Sequence, residues 1–275
     1  MGVTMVFCQH VPSAPLCDFV RCFWYSEGAP QTHAKERLMP NVEPTIVFSL
    51  REDAMRIYDA NDQTQYHSYR DAVISGARTG CCVIDTVQQD RVFGIQFLPG
   101  GAFPFFRQPA SEIANQSVEL ECLWGKSACE LRERLLLTRN QYELFRTAEQ
   151  FLLRQFVRSL ALHPAVNSAR KGFSIRFDVS MASVANNIGL SQRRFIELFQ
   201  RQIGLTPKAF CRVQRFQRVL NRVHRARDID WIQVALNCGY YDQAHFIHDF
   251  REFSGMTPTQ YVTRVTEHQN HVSVV

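Results

Sequence analysis

The polar side chains best suited to specific recognition lie in two copies of one short segment. RRFIELFQRQIGLTP, which begins at Arg193, returns in altered form as AHFIHDFREFSGMTP, which begins at Ala244. Arginine can bind guanine through two hydrogen bonds, glutamine can do the same with adenine, and glutamate can accept one from cytosine. The candidate base-contacting residues at the start of each copy are Gln192, Arg193, Arg194 and Glu197, then Gln243, Ala244 and His248.

The residues shared by the two copies predict the element that positions these side chains. A repeat at this spacing indicates a supersecondary unit that is used twice. Each copy follows an apolar helical face, a glycine and a capping residue, so each is predicted to form helix, tight turn, helix. The first unit contains Val184, Ala185, Ile188, Gly189 and Ser191, and the second contains Trp231, Val234, Ala235, Gly239 and Asp242. In such a unit the start of the second helix can enter the major groove of DNA.

A helix is predicted between the two units, over KAFCRVQRFQRVLNRV (208–223). Sixteen helical residues span roughly 24 Å, which with the flanking units could hold the recognition helices about one DNA turn apart. Arginines 212, 215, 218 and 222 share one face at spacings of three and four. We predict that Arg215 contacts phosphate, although a solvated surface is the alternative for much of this face.

Charge is unevenly distributed along the chain of 275 residues. Residues 170–275 carry 15 Lys+Arg against 8 Asp+Glu, whereas residues 1–169 carry 16 against 18. A basic region beside a near-neutral one suggests nucleic-acid binding. Nine scattered cysteines fit a reducing cytoplasm better than a disulfide framework. We also expect neither a signal peptide nor a membrane span, because the sequence contains no suitable apolar run.

The first part of the chain is predicted to be rich in strands. TIVFSL (45–50), MRIYDA (55–60) and VFGIQFLPGG (92–101) are short, β-branched or aromatic segments bounded by turn residues. Amphipathic helices follow to about residue 162. The predicted fold is therefore an α+β N-terminal domain over 1–166, with a small antiparallel barrel or sheet followed by helices. An all-α tandem helix-turn-helix domain over 167–275 completes it.

The two repeated blocks resemble the tandem units of the AraC/XylS transcription regulators. The resemblance covers roughly residues 173–265, and LPGGAFPFFRQPASEIANQSVELECLWG (98–125) is similar to a PGG…LW element of one subgroup. It implies a bacterial, cytoplasmic, sequence-specific regulator whose N-terminal domain senses a signal or dimerises. Many members carry a basic residue where this chain has Glu197, so the base preference of a relative does not transfer.

Other chemistries are weakly represented in the sequence. His245 and His248 lack further nearby ligands, His33 with Glu36 lacks the HxH pair of a metal-binding barrel, and Cys81-Cys82 are expected to be buried thiols. We therefore predict no catalytic residues, metal or cofactor, and leave the ligand-binding residues unassigned. Arg37 and Glu43 are the first polar candidates. The alternatives are an enzyme, or a protein that binds a partner through the helices near 128–162.

The predicted partner is double-stranded DNA, contacted in two adjacent major-groove segments. A small-molecule effector, RNA polymerase and a second copy of the chain are further candidates, and a membrane is not.

Overall fold

The N-terminal half is built on two antiparallel sheets. The computed structural model describes residues 6–28, 34–51, 54–87, 90–175, 190–224, 226 and 228–274. One sheet has the strand order β1-β2-β9-β4-β7-β10 and the other β11-β3-β8-β5-β6. The strands are β1 (Val6–His10), β2 (Val20–Glu27), β3 (Lys35–Leu38), β4 (Thr45–Ser49), β5 (Met55–Tyr58), β6 (Tyr66–Tyr69), β7 (Ala72–Ser75), β8 (Cys82–Asp85), β9 (Arg91–Phe97), β10 (Ser117–Glu119) and β11 (His271–Ser273).

The first sheet packs its inner face against the N-terminal helices. Strand β4 lies between β9 and β7, with Ile46 opposite both Ile95 and Ile74, and all three side chains are fully buried. The first described helices are α1 (Ala110–Ile113), α2 (Leu120–Trp124), α3 (Lys126–Leu136) and α4 (Gln141–Leu152). Phe48 and Phe97 are fully buried in this core.

The C-terminal half is helical and closes around a second core. Its described helices are α5 (Pro164–Ile175), α6 (Gln192–Ile203), α7 (Pro207–Val223), α8 (Trp231–Asn237), α9 (Gln243–Ser254) and α10 (Pro258–Arg264). Buried aromatic rings from α6, α7 and α9 meet there. Helix α5 runs across the proposed boundary at residues 166 and 167, and its Val166, Ala169 and Phe173 belong to this second core.

The shared Gly-x-Thr-Pro of the two copies builds the same joint twice. Gly204 and Gly255 end α6 and α9 at positive φ values of 99° and 72°, which glycine adopts without a Cβ penalty. Two residues later, Thr206 accepts a hydrogen bond from Ala209 N at 3.1 Å, and Thr257 accepts one from Gln260 N at 3.2 Å. The following proline occupies the first turn, where its missing N–H is not needed. The repeat therefore encodes a helix end and a helix start.

The predicted fold class is confirmed, with two refinements. The N-terminal strands form two sheets that do not close into a barrel. The C-terminal domain is not purely helical, because its last strand, β11, pairs with β3 of the N-terminal domain. Among the described residues, no helix combines the length and hydrophobicity needed to cross a membrane.

Candidate nucleic-acid interface

The first unit presents its candidate residues at the start of α6. Ser191 caps this helix by accepting a hydrogen bond from Arg194 N at 3.3 Å. Phe195 and Phe199 are fully buried, and this orients the opposite face of the helix toward solvent. Gln192, Arg193, Arg194 and Glu197 are all exposed. The helix predicted to precede them, with Val184, Ala185, Ile188 and Gly189, lies outside the described residues.

The second unit repeats this arrangement at α9. Asp242 caps the helix by accepting from His245 N at 2.7 Å, and Phe246 and Phe250 are fully buried. Gln243, Ala244 and His248 are exposed. Helix α8 packs through Val234 and Ala235 and ends at Asn237, and Gly239 turns the chain two residues later with a φ of 83°. The two sets of candidate residues therefore occupy matching positions at the starts of α6 and α9.

Glu197 neutralises part of the positive charge in the first unit. Its carboxylate lies 3.0 Å from Arg193 Nε and 3.6 Å from Arg194 Nη1. The Arg193 side chain is 91% exposed, so this pairing is a weak surface interaction. A nucleic acid would therefore compete for these two guanidinium groups at little cost.

The arginine face of α7 braces the second unit. Arg212 donates to Asp249 at 2.7 Å and to both oxygens of Glu252, at 3.1 and 2.7 Å. The hydrogen bonds that Glu252 and then Asp249 accept raise the pKa of Arg212, and the contact with Arg212 lowers the pKa of Glu252. Arg215 donates to Gly239 O at 3.0 Å, and its guanidinium lies 5.0 Å from the Tyr240 ring centre. Arg215, the predicted phosphate contact, is therefore engaged with the second unit in this structure.

The apolar face of α7 supports this bracing. Six apolar residues, which recur at spacings of three and four along the helix, are buried: Phe210, Val213, Phe216, Val219, Leu220 and Val223. Phe216 contacts Phe250 and Phe253, with ring centres 5.2 and 5.3 Å apart. The connector is therefore fixed to the second unit by both of its faces.

One group of potential metal ligands also lies on α9. Side-chain ligand atoms of His248, Asp249 and Glu252 come within 4.8 Å of one another. The two carboxylates already bind Arg212, which supplies the positive charge that a metal would bring. The predicted absence of a metal stays a prediction.

Sequence reasoning missed several contacts that join the two domains. Arg37 donates to Ser254 O at 3.4 Å, and Cys81 donates to Phe253 O at 3.0 Å, both at the end of α9. Gly100, in the PGG turn, has a φ of 77°, and a Cβ there would lie 2.7 Å from Ile203 at the end of α6. The PGG element was a visible signal, but nothing in the sequence indicated what it packs against.

Comparisons with known proteins match the two parts of the chain separately. Residues 184–264 match a helix-turn-helix domain family, and residues 8–119 match a domain of unknown function, DUF6597. The chain is similar to the probable transcriptional regulator LumQ of Photobacterium leiognathi, with 32% identity over 83 residues that cover 30% of this chain and 33% of that protein. It is also similar to the arabinose operon regulatory protein of Escherichia coli K12, with 28% identity over 134 residues, 46% of each chain. The chain carries an AraC-type helix-turn-helix domain.

The predicted family resemblance is thus confirmed for the AraC-type domain. Its matched range contains the exposed starts of both α6 and α9. The matching regions span between a third and a half of these two relatives' lengths. Among solved structures, ToxT from Vibrio cholerae aligns over 96% of this chain and 98% of that chain, with 10% identity and a TM-score of 0.46.

Proposed function

We propose that this protein is a sequence-specific DNA-binding transcription regulator whose N-terminal domain responds to a small molecule or another signal. One observation carries the proposal: the AraC-type domain presents two matching helix starts whose hydrogen-bonding side chains are exposed while the rings behind them are fully buried. An enzyme is not supported, since the similar curated proteins bear the names of regulators.

In this proposal, each unit contacts its own major-groove segment of double-stranded DNA. Arg193 and Arg194 would bind guanine once they leave Glu197, and Gln243 would bind adenine. Ala244 would contact a thymine methyl group, and His248 would donate a hydrogen bond. Because the two sets differ in chemistry, the two half-sites would differ in sequence.

Arg215 would position the protein rather than read bases. It lies on the connector between the units and already bonds to Gly239, so a phosphate contact there would also hold the end of α8. Contacts of this kind weaken binding to all sequences equally when they are removed.

The N-terminal domain would supply the response. A half-open cavity with a volume of about 750 Å³, which is within the range of small-molecule sites, lies between its two sheets. RNA polymerase and a second copy of the chain are further proposed partners, and a bacterial cytoplasm is the proposed location.

The proposal is tested by binding-site selection with the full chain, followed by affinity measurements on the selected and scrambled duplexes at two salt concentrations. We expect a strong preference for one bipartite sequence and a steep fall in affinity with salt, as counterion release requires. Equal affinity for selected and scrambled DNA, with no dependence on salt, would instead favour the partner-binding alternative.

A further inference from the structure

The C-terminal strap, which we define as residues 265–274, leaves the AraC-type domain and joins the N-terminal sheet. Its strand β11 pairs antiparallel with β3, with Val272 opposite Arg37. The pairing continues on both sides of β11, since Met39 N donates to Asn270 O at 2.9 Å and Val274 N donates to Lys35 O at 3.1 Å. Val272 is fully buried. The strap is therefore an integrated strand of the sheet rather than a loosely attached tail.

Side-chain contacts anchor the strap at two points. His271 Nδ1 lies 2.6 Å from Glu36, whose side chain is 6% exposed. Gln217, on α7, donates to Asn270 Oδ1 at 2.8 Å and to Pro40 O at 2.5 Å. The same glutamine thus contacts the strap and the N-terminal domain from the connector between the two DNA-binding units. Movement of the strap would alter the surroundings of that connector.

The strap also forms one wall of the cavity between the sheets. Residues Thr266 to His271 line it from the C-terminal side, while β-strand residues such as Trp24, Val47 and Ile57 line it from the other. The cavity is therefore a joint feature of both domains. A molecule that fills it must contact the strap.

The polar groups of the cavity wall indicate what kind of molecule would fit. Glu36 is engaged by His271, and Glu43 accepts from Gln96 at 2.8 Å and from Arg21. Arg78 also lines the cavity, and its Nη2 donates to Ser117 Oγ at 2.6 Å. A largely apolar molecule with an anionic or hydrogen-bond-accepting group would match the apolar part of the wall and the positive charge of Arg78.

We infer that the C-terminal strap couples cavity occupancy to the docking of the DNA-binding domain. A ligand that contacts the strap binds the docked arrangement more tightly than the undocked one, so it favours docking. By linkage, loss of the strap weakens ligand binding by the same factor. This inference rests on the proposed function for its regulatory meaning, but the coupling itself can be measured without DNA.

The test uses anilinonaphthalene sulfonate, an apolar fluorescent dye that carries an accepting sulfonate. The full chain should bind it at a saturable site, with energy transfer from Trp24. A variant that ends at Thr266 should bind it at least about tenfold more weakly, because one wall of the site is gone. In the full chain, saturating dye should slow amide hydrogen exchange at residues 271–273.

A point variant tests the same contact in a full-length chain, so that weaker dye binding cannot be attributed to unfolding caused by truncation. His271→Gln should weaken dye binding about threefold or more, because it disturbs the Glu36 anchor. His67→Gln is the matched control, since His67 is exposed on β6, away from the strap. Near-UV circular dichroism of each variant reports folding.

Unchanged dye affinity in both strap variants, unchanged exchange at 271–273, or failure of the full chain to bind the dye would overturn the inference. Affinity for selected DNA is measured separately on the same proteins. If DNA binding fails while dye coupling holds, the proposed function is wrong and the strap mechanism stands.

Discussion

The two helix-turn-helix units share a scaffold but differ in what surrounds it. The first unit is held from outside, because the end of α6 packs against the N-terminal domain at Gly100 and at Ala110, whose carbonyl would lie 3.1 Å from a Cβ on Gly204. The second unit also meets the N-terminal domain, through Arg37 and Cys81 at the end of α9, but it is held in addition from inside its own domain by Arg212 and Arg215 of α7. The duplicated sequence therefore preserves the joint between one helix end and the next helix start. The tertiary contacts around the two copies differ.

The exposed faces differ as well. The first unit carries two arginines paired with one glutamate, whereas the second carries Ala244, His245 and His248 at the matching positions. On this comparison, the first unit contributes more of the electrostatic attraction to DNA and the second contributes mainly neutral contacts. The following predictions test these differences.

The largest effects should come from the shared scaffold, and they should be equal in the two units. Phe199→Ala and Phe250→Ala each remove a fully buried ring and should lower the free energy of unfolding by about 3–5 kcal/mol. Urea denaturation of the full chain measures this. A large loss in one unit with almost none in the other would show that the two joints are not equivalent.

Removing the Arg212 side chain, which bonds to Asp249 and Glu252, should destabilise the second unit specifically. Arg212→Ala leaves the buried Asp249 without its donor and should cost about 1.5–3 kcal/mol, because hydrogen bonds to charged groups are involved. Arg222→Ala, an exposed arginine of the same helix, is the control and should change stability little.

The Arg212 brace should also depend on pH. Arg212 lowers the pKa of Glu252 from its ordinary 4.5, so this carboxylate contributes stability above that value and loses it as pH falls through the lowered pKa. Comparing urea midpoints of the wild type and Glu252→Gln between pH 7 and pH 3 checks the sign. The difference should be largest at pH 7 and should shrink in acid; growth in acid would contradict the assignment.

Substitutions of base-contacting residues should change the sequence preference of one unit at a time and should leave the stability of the protein unchanged. Arg193→Ala and Gln243→Ala should each relax preference within one half-site, by about 1–3 kcal/mol per lost bidentate contact. Binding-site selection with each variant measures the change. Equal loss of preference in both half-sites would mean that these side chains do not read bases.

The smallest effect should come from the charge pair on α6. Glu197→Gln frees Arg193 and Arg194, and should strengthen binding to scrambled DNA by about 0.2–1 kcal/mol with a steeper salt dependence. The matching change in the second unit, His248→Gln, removes no acidic group and should have less effect near neutral pH. A stronger response in the second unit would reverse the comparison.

Local sequence patterns were sufficient to predict the starts of α6 and α9, the joints that follow these helices and the connector α7. Helix ends, caps and turns depend on residues a few positions apart, so glycine, threonine and proline at fixed spacing were enough to predict them. The apolar stripe of α7 was likewise visible as a local period, and the base-contacting candidates are exposed because the phenylalanines behind them are buried.

Tertiary structure alone decided how the two domains meet. Glu36 and His271 lie 235 positions apart, and no local pattern indicates that a C-terminal strand pairs with β3. Likewise, no local pattern in the sequence indicates the partners of Arg212, Arg215 or the PGG turn. Such contacts depend on where the whole chain places its surfaces, whereas capping and periodicity act within one or two turns of helix.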